Sequence, residues 1–148
     1  MLRMAATRAT DRRDVLRSVR ELRACCAAHE GELCRRLRLT PVEAACLLGF
    51  TGRQVGVGGL AERLELSASR TSRLVDGLVR RRLVRRVGSR TDRRALLLSL
   101  TPKGHERRRS LVSAMRSCER GLLRRLGGAR ARALVRQLDL LSTAFRAL

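Results

Sequence analysis

The segment from Leu60 to Thr101 constrains the fold of this chain more than any other. It contains two short stretches with apolar residues at helical spacing, separated by a tight turn at Leu66-Ser67. Two apolar stretches then flank a polar loop that contains glycine and arginine. The order helix, turn, helix, strand, loop and strand is typical of a winged helix-turn-helix. We therefore expect a mainly α fold with a small β-wing.

The charge of the chain indicates a polyanionic partner. The sequence has 34 basic and 13 acidic residues, for a net charge of +21, and Lys103 is the single lysine. Such a charge attracts nucleic acid or an anionic membrane surface, although the codon bias of a GC-rich genome also favours arginine. No run approaches the roughly 18 apolar residues of a membrane span, and the N-terminus lacks the apolar run of a secretory signal. We expect a cytoplasmic protein without a membrane partner.

Apolar residues at helical spacing also mark both ends of the chain. Residues 1–10 are expected to be a flexible N-terminal arm. The terminal helices, at 11–38 and 102–148, have more apolar face than one small domain covers. We therefore expect them to be dimerisation helices around a winged helix-turn-helix DNA-binding region at 39–101. A homodimer would place two such regions about one DNA turn, roughly 34–36 Å, apart.

Residues that are typical of helix starts and of breaks between helices occur along the rest of the chain. Thr40, Pro41 and Glu43 form the pattern of a capping box with proline at the first helical position. The glycine-rich segment 52–59 is interpreted as a connector, because no Gly-Lys-Ser/Thr follows it and no strand precedes it. Gly127-Gly128 separates the last two helices.

The second helix of the motif has polar residues near its beginning, where Ser67 or Ser69 can act as the cap. A helix that enters the major groove needs hydrogen-bonding side chains at this end. We predict DNA contacts by the cap and the outward face, and by the basic residues of the wing. These candidates are Ser67, Ser69, Arg70, Ser72, Arg73, Arg85, Arg86, Arg90, Arg93 and Arg94.

The five cysteines lack regular spacing, which indicates reduced thiols rather than a disulfide framework. Cys26 and His29 fall on the apolar stripe of the first helix, where small buried residues are expected. Structural cysteines are therefore favoured over a redox switch at Cys25 or Cys26, and a metal site is least expected. We predict no metal, no cofactor and no catalytic residues, since the chain has neither a nucleotide loop nor a paired His/Asp/Ser group.

With these residues in view, the chain resembles the multiple-antibiotic-resistance regulator (MarR) family of bacterial transcription factors. The resemblance extends over about residues 11–146 and is tightest over 39–104. Four motifs carry it in order: LTPVEAACLL at 39–48, LAERLELSASRTSRLVDGL at 60–78, LVRR at 83–86 and DRRALLLSLTPKG at 92–104. Two departures are local: Arg82 stands where the family usually has glycine, and 56–59 lacks the usual Ser/Thr cap.

The resemblance implies a homodimer that binds a pseudo-palindromic operator, with the wing arginine in the minor groove. The matching position is Arg94, and Asp92 matches the aspartate that steadies it. A narrow minor groove attracts an inserted arginine because its negative potential is enhanced. Such proteins are mostly repressors released by a small ligand or an oxidant. The alternative function is an architectural, nucleoid-type DNA-binding protein of low sequence specificity.

Overall fold

A computed structural model describes residues 3–52, 54–88 and 96–148 of the protein. The chain divides into two compact units, Met1–Leu111 and Val112–Leu148, so that the boundary falls within one long helix. The elements in chain order are α1 (Arg3–Arg36), α2 (Pro41–Leu48), β1 (Val55–Gly56), α3 (Val57–Leu64), α4 (Ala68–Arg80), β2 (Val84–Gly88), β3 (Leu96–Leu100), α5 (Pro102–Leu126) and α6 (Gly128–Arg146). No described helix is long and apolar enough to cross a membrane.

The three strands form an antiparallel sheet in the order β1-β3-β2. In β2 and β3 the register aligns Val84 with Leu100, and β1 adds one short pairing of Val55 with Leu98. The expected mainly α fold with a small β-wing is confirmed.

Two sequence-based boundaries are wrong. The first helix begins at Arg3 and not at residue 11, so it includes most of the predicted arm over 1–10, where Met, Ala and Arg are strong helix formers and no Gly or Pro interrupts them. The predicted connector over 52–59 contains β1 and the first turn of α3. A two-residue strand has no periodicity of its own, and Val55 is extended because it pairs with β3 and is buried.

The core of the first unit is built by almost every element of that unit. Its largest fully buried side chains include Leu47, Phe50, Leu60, Leu78 and Leu98. They come from α2, the loop after it, α3, α4 and β3, and they form one continuous apolar cluster. This shared core holds α3 and α4 against the sheet, which positions the outward face of α4.

Three helices end in the same way, with a charged residue in the left-handed conformation. Arg38, Glu65 and Arg82 have φ angles of 52°, 52° and 58°. After α4, Arg82 N donates to the Val79 carbonyl and Leu83 N donates to the Leu78 carbonyl, which is a Schellman motif. The sequence-based expectation that Arg82 occupies a position suited to glycine is therefore correct. The N-cap of α3 is Gly56, which supplies no side-chain hydrogen bond, as expected.

The junction between β3 and α5 requires a very close backbone approach. A Cβ atom on Gly104 would lie 2.0 Å from the carbonyl oxygen of Leu83, so no larger residue fits without a backbone shift. Thr101 Oγ1 accepts from Gly104 N at 3.0 Å and donates to the Arg82 carbonyl at 2.6 Å. The Leu-Thr-x-x-Gly motif thus joins the start of α5 to the end of α4.

We expect Gly104→Ala to destabilise the protein by about 1–3 kcal/mol or more, because the added methyl group overlaps backbone that has little freedom to move. Gly77→Ala is the matched control, since nothing lies within 4 Å of a Cβ at that helical position. The control should stabilise the fold by about 0.5–1 kcal/mol through helix propensity. Equal effects of the two substitutions in urea unfolding would contradict the close approach.

A second prediction concerns Arg82. The left-handed conformation costs a non-glycine residue about 1–2 kcal/mol, which is partly offset by the backbone entropy that glycine loses on folding. Arg82→Gly should therefore raise the free energy of unfolding by about 0.5–1 kcal/mol relative to Arg82→Ala. Both variants lose the same charge and differ from each other by one methyl group, so the comparison reports mainly the backbone. Chemical denaturation of both variants measures it.

Candidate nucleic-acid interface

The first turn of α4 is organised by Ser67. Its hydroxyl caps the helix by accepting from Arg70 N at 3.4 Å and lies 3.3 Å from Ser69 Oγ. Thr71 is fully buried, and its hydroxyl donates to the Ser67 carbonyl at 3.1 Å. Ser67 therefore has a structural role at the helix start in addition to its predicted contact with DNA.

The outward face of α4 is polar and solvent-exposed, whereas Val75 and Leu78 on the opposite face are buried. Arg73 Nε donates to the Ser69 carbonyl at 3.4 Å, so this side chain folds back along the helix toward its N-terminus. The exposed residues of this face are Ser69, Arg70, Ser72 and Arg73, as the sequence predicts. One helix thus presents two hydroxyls and two guanidinium groups in about one and a half turns.

The wing is described only up to Gly88 and again from Leu96. Arg85 and Arg86 on β2 are both exposed. The predicted contact residues Arg90, Asp92, Arg93 and Arg94 lie outside the described residues. Their roles in DNA contact stay predictions.

Arg86 has a partner that sequence reasoning missed. Its Nη2 donates to Asp76 Oδ1 of α4, and both side chains are 45% exposed. An exposed pair of this kind contributes only about 0–1 kcal/mol to stability. Its consequence is geometric, because it ties β2 to the second helix of the motif. No local sequence signal links two residues on different elements in this way.

An open cleft of about 580 Å³ lies between α4, β2 and the first turn of α5. Val79, Val84 and Pro102 line its apolar part. Four cationic side chains also line it: Arg82, Arg85, Arg86 and Lys103. Arg82 and Lys103 therefore extend the basic surface of β2 beyond the residues singled out from the sequence.

The C-terminal end of α4 is held by Arg81. Its Nη1 donates to Glu43 Oε1 at 2.6 Å, and its Nη2 donates to the Arg38 carbonyl. Burial acts to raise the pKa of Glu43, but hydrogen bonds from Arg81 and Thr40 outweigh it, so this pKa lies below the ordinary value of 4.5. The charged carboxylate thus favours the folded state above that value, and its contribution is lost as the pH falls through the lowered pKa.

The cysteines fall into two groups. Cys34 and Cys46 are buried, and burial raises the pKa of both thiols, that of Cys46 to about 12. Cys25, Cys26 and Cys118 are exposed. The expectation that Cys26 and His29 are buried is wrong for the single chain, because α1 is exposed to solvent at both positions.

The sequence and the fold of this chain are similar to those of known proteins. The sequence profile of the MarR family matches residues 39–95. Comparison with curated protein sequences finds no match. Many solved structures share the fold, among them MarR-family proteins that cover nearly the whole chain. The fold of the chain is therefore that of MarR-family proteins, and residues 39–95 carry the sequence match to that family.

Three solved structures illustrate the likeness. YusO from Bacillus subtilis has a TM-score of 0.75 and 21% identity, over 92% of this chain and 97% of that one. RV1404 from Mycobacterium tuberculosis has a TM-score of 0.72 and 26% identity, over 88% and 90%. A MarR-family protein from Bacillus stearothermophilus has a TM-score of 0.80 and 19% identity, over 93% and 97%.

Thiol labelling tests the two groups of cysteines. We expect iodoacetamide at neutral pH to modify Cys25 in the folded protein, because its side chain is exposed and it is not part of the apolar stripe that contains Cys26. Cys34 and Cys46 should react only after unfolding, since burial disfavours the thiolate. Mass spectrometry of digested protein assigns each site. Rapid labelling of Cys46 without denaturant would contradict its buried position.

Proposed function

We propose that this protein is a sequence-specific transcription regulator that binds double-stranded DNA as a homodimer. The observation that carries the proposal is the exposed polar face at the start of α4, held on a shared core in a chain of net charge +21. A helix of this kind enters the major groove, and the positive charge supplies affinity for phosphates.

The proposed contacts divide by groove. Ser69, Arg70, Ser72 and Arg73 would contact base edges and phosphates in the major groove, with Ser67 at the helix start. Arg to guanine is the commonest specific contact of this type. In the wing, Arg94 would enter the minor groove with Asp92 beside it. Arg85, Arg86, Arg90 and Arg93 would neutralise nearby phosphates.

A DNA-bound protein of the same fold supports DNA as the partner. A mutant of S. aureus MepR bound to an oligodeoxyribonucleotide matches this chain with a TM-score of 0.63 and 17% identity, over 88% of this chain and 97% of that one. At this identity the likeness concerns the fold. The proposal for DNA therefore depends on the residues that this chain presents on α4 and β2.

The terminal helices support a second copy of the chain as partner. On α6, the stripe of Leu134, Leu138 and Phe145 is 41%, 38% and 44% exposed, and on α5 Leu122 is 53% exposed. On α1, Val15, Leu16 and Leu22 are also exposed, at 44%, 44% and 50%. Apolar surface of this extent in a water-soluble chain marks an interaction site. We propose that these helices, over 11–38 and 102–148, form the dimer.

The proposed regulation is repression that a signal relieves. The signal would be a small molecule, or an oxidant acting on the accessible thiols of Cys25 or Cys26. An oxidant of this kind would weaken operator binding, and a reductant would restore it. Unchanged affinity after peroxide treatment would exclude the thiol route and leave the small molecule.

Selection from a random duplex library tests the proposal directly. Purified protein at near-physiological salt should recover one inverted repeat with half-sites about ten base pairs apart. It should hold that operator typically 10³-fold or more tighter than random DNA. Tight binding without a recovered motif would contradict sequence specificity and favour an architectural protein.

On that operator we expect Arg94→Ala to weaken binding by about fivefold to more than a hundredfold, since a specific arginine contact contributes roughly 1–3 kcal/mol. Arg125→Ala is the charge-matched control, because Arg125 is exposed near the end of α5. The control should change affinity by less than about threefold at the same ionic strength. Equal losses in both variants would mean that net charge, not the wing, determines affinity.

A further inference from the structure

Arg81 joins parts of the chain that are far apart in sequence. It follows α4 directly, and its fork bonds to Glu43 of α2 and to the carbonyl of Arg38 after α1. The Glu43 side chain is only 14% exposed in this pair. By comparison, the Arg17–Glu21 pair on α1 is 74% and 62% exposed. The Arg81 contact is thus the more shielded of the two, and it crosses between elements.

Glu43 is suited to this contact because it uses both carboxylate oxygens. Oε2 accepts from Thr40 N at 2.8 Å in the capping box, while Oε1 accepts from Arg81 Nη1 at 2.6 Å. The two N–H groups face different carboxylate oxygens, and a glutamine in the same position would present an NH₂ group to one of them, so this geometry would satisfy only one. The capping box and the bond to α4 are therefore coupled through one side chain.

Other bonds hold the same end of α4. Lys103 Nζ donates to the Arg81 carbonyl at 3.3 Å, and Thr101 Oγ1 donates to the Arg82 carbonyl at 2.6 Å. The Arg38 carbonyl is itself held by the left-handed turn that ends α1. The C-terminal end of α4 is thus bonded to α2, to the turn before it and to the start of α5, whereas its N-terminal end presents the exposed face.

Because α4 is bonded at its C-terminal end, a change in these bonds would rotate the helix and displace its exposed N-terminal end. A helix of this length is about 20 Å long, so a tilt of about 5° at one end moves the other by roughly 2 Å. Functional contacts tolerate errors of only about 0.5 Å. A small change at Arg81 would therefore misplace hydrogen-bonding groups that Arg81 itself does not approach.

We propose that Arg81 and Glu43 form a positioning pair that sets the tilt of α4 and thereby its choice of DNA sequence. The inference rests on the proposed function, since it assigns a role in specificity to residues outside the DNA-contacting face. A merely structural pair would change only the stability of the fold. A positioning pair changes the ratio of operator affinity to random-DNA affinity in protein that is still folded.

The experiment compares Arg81→Gln with Arg80→Gln, in titrations of the selected operator and of random duplex well below the melting temperature of each variant. Arg80 is the adjacent, exposed residue, so both variants lose one positive charge. We expect Arg81→Gln to lose about fivefold or more in operator affinity, as for one lost base contact. Its random-duplex affinity and salt dependence should equal those of Arg80→Gln. Equal operator affinities of the two variants would overturn the proposal.

Glu43→Gln tests the same contact with the opposite change in net charge. It removes a negative charge, so electrostatics alone predicts tighter binding to every DNA. We expect weaker operator binding instead, and an effect that does not add to that of Arg81→Gln, because the two side chains act through one contact. Arg81→Lys should recover part of the operator affinity. Tighter operator binding by Glu43→Gln, or full additivity, would overturn the pairing.

A measurement without DNA separates this inference from the proposed function. Residual dipolar couplings of the α4 amides, relative to those of α2 and α3, report the orientation of α4 in folded protein. We expect them to change in Arg81→Gln and not in Arg80→Gln. Unchanged couplings in Arg81→Gln would overturn the inference even if the operator is found. Failure of wild-type protein to select any operator would instead overturn the proposed function.

Discussion

The close approach of α5 to the turn after α4 is the contact on which the arrangement of the first unit depends. Gly104 lies against the Leu83 carbonyl with no room for a Cβ atom, and Thr101 bonds the adjoining backbone. Because Leu83 also begins the path into β2, this one junction fixes the start of α5, the end of α4 and the wing together. The buried leucines around it then supply the apolar core.

Polar contacts refine what the core holds together. Three helices end with charged left-handed residues, which turn the chain sharply at the cost of local strain. Arg81 connects two of these helix ends. It directly precedes the left-handed Arg82 after α4, and it donates to the carbonyl of the left-handed Arg38 after α1. Asp76 bonds Arg86 of β2 to α4 in a similar way. These bonds affect how α2, α4 and β2 are oriented relative to one another more than whether each element forms.

Much of the local structure was predictable because its causes are local. The capping box at Thr40 and Glu43, the cap at Ser67 and the exposed face of α4 all follow from residues within one or two turns. The same holds for the misfit of Arg82, which the glycine preference of helix ends explains. β1 was missed because Val55 is extended only through its pairing with Leu98. The arm before Asp11 was missed because helix propensity there is not accompanied by an apolar stripe.

The sequence by itself determined the resemblance to the MarR family, the order of the helices and of the two wing strands, and the polar character of the α4 face, since each of these depends on the period and type of neighbouring residues. Only the tertiary structure decided which charged side chains meet. Arg81 contacts Glu43 and Arg38 across separations of 38 and 43 residues, and Arg86 contacts Asp76 across 10. No propensity or spacing encodes such pairs, because they depend on how the core orients whole helices. The tilt of α4 is therefore a property of the folded chain.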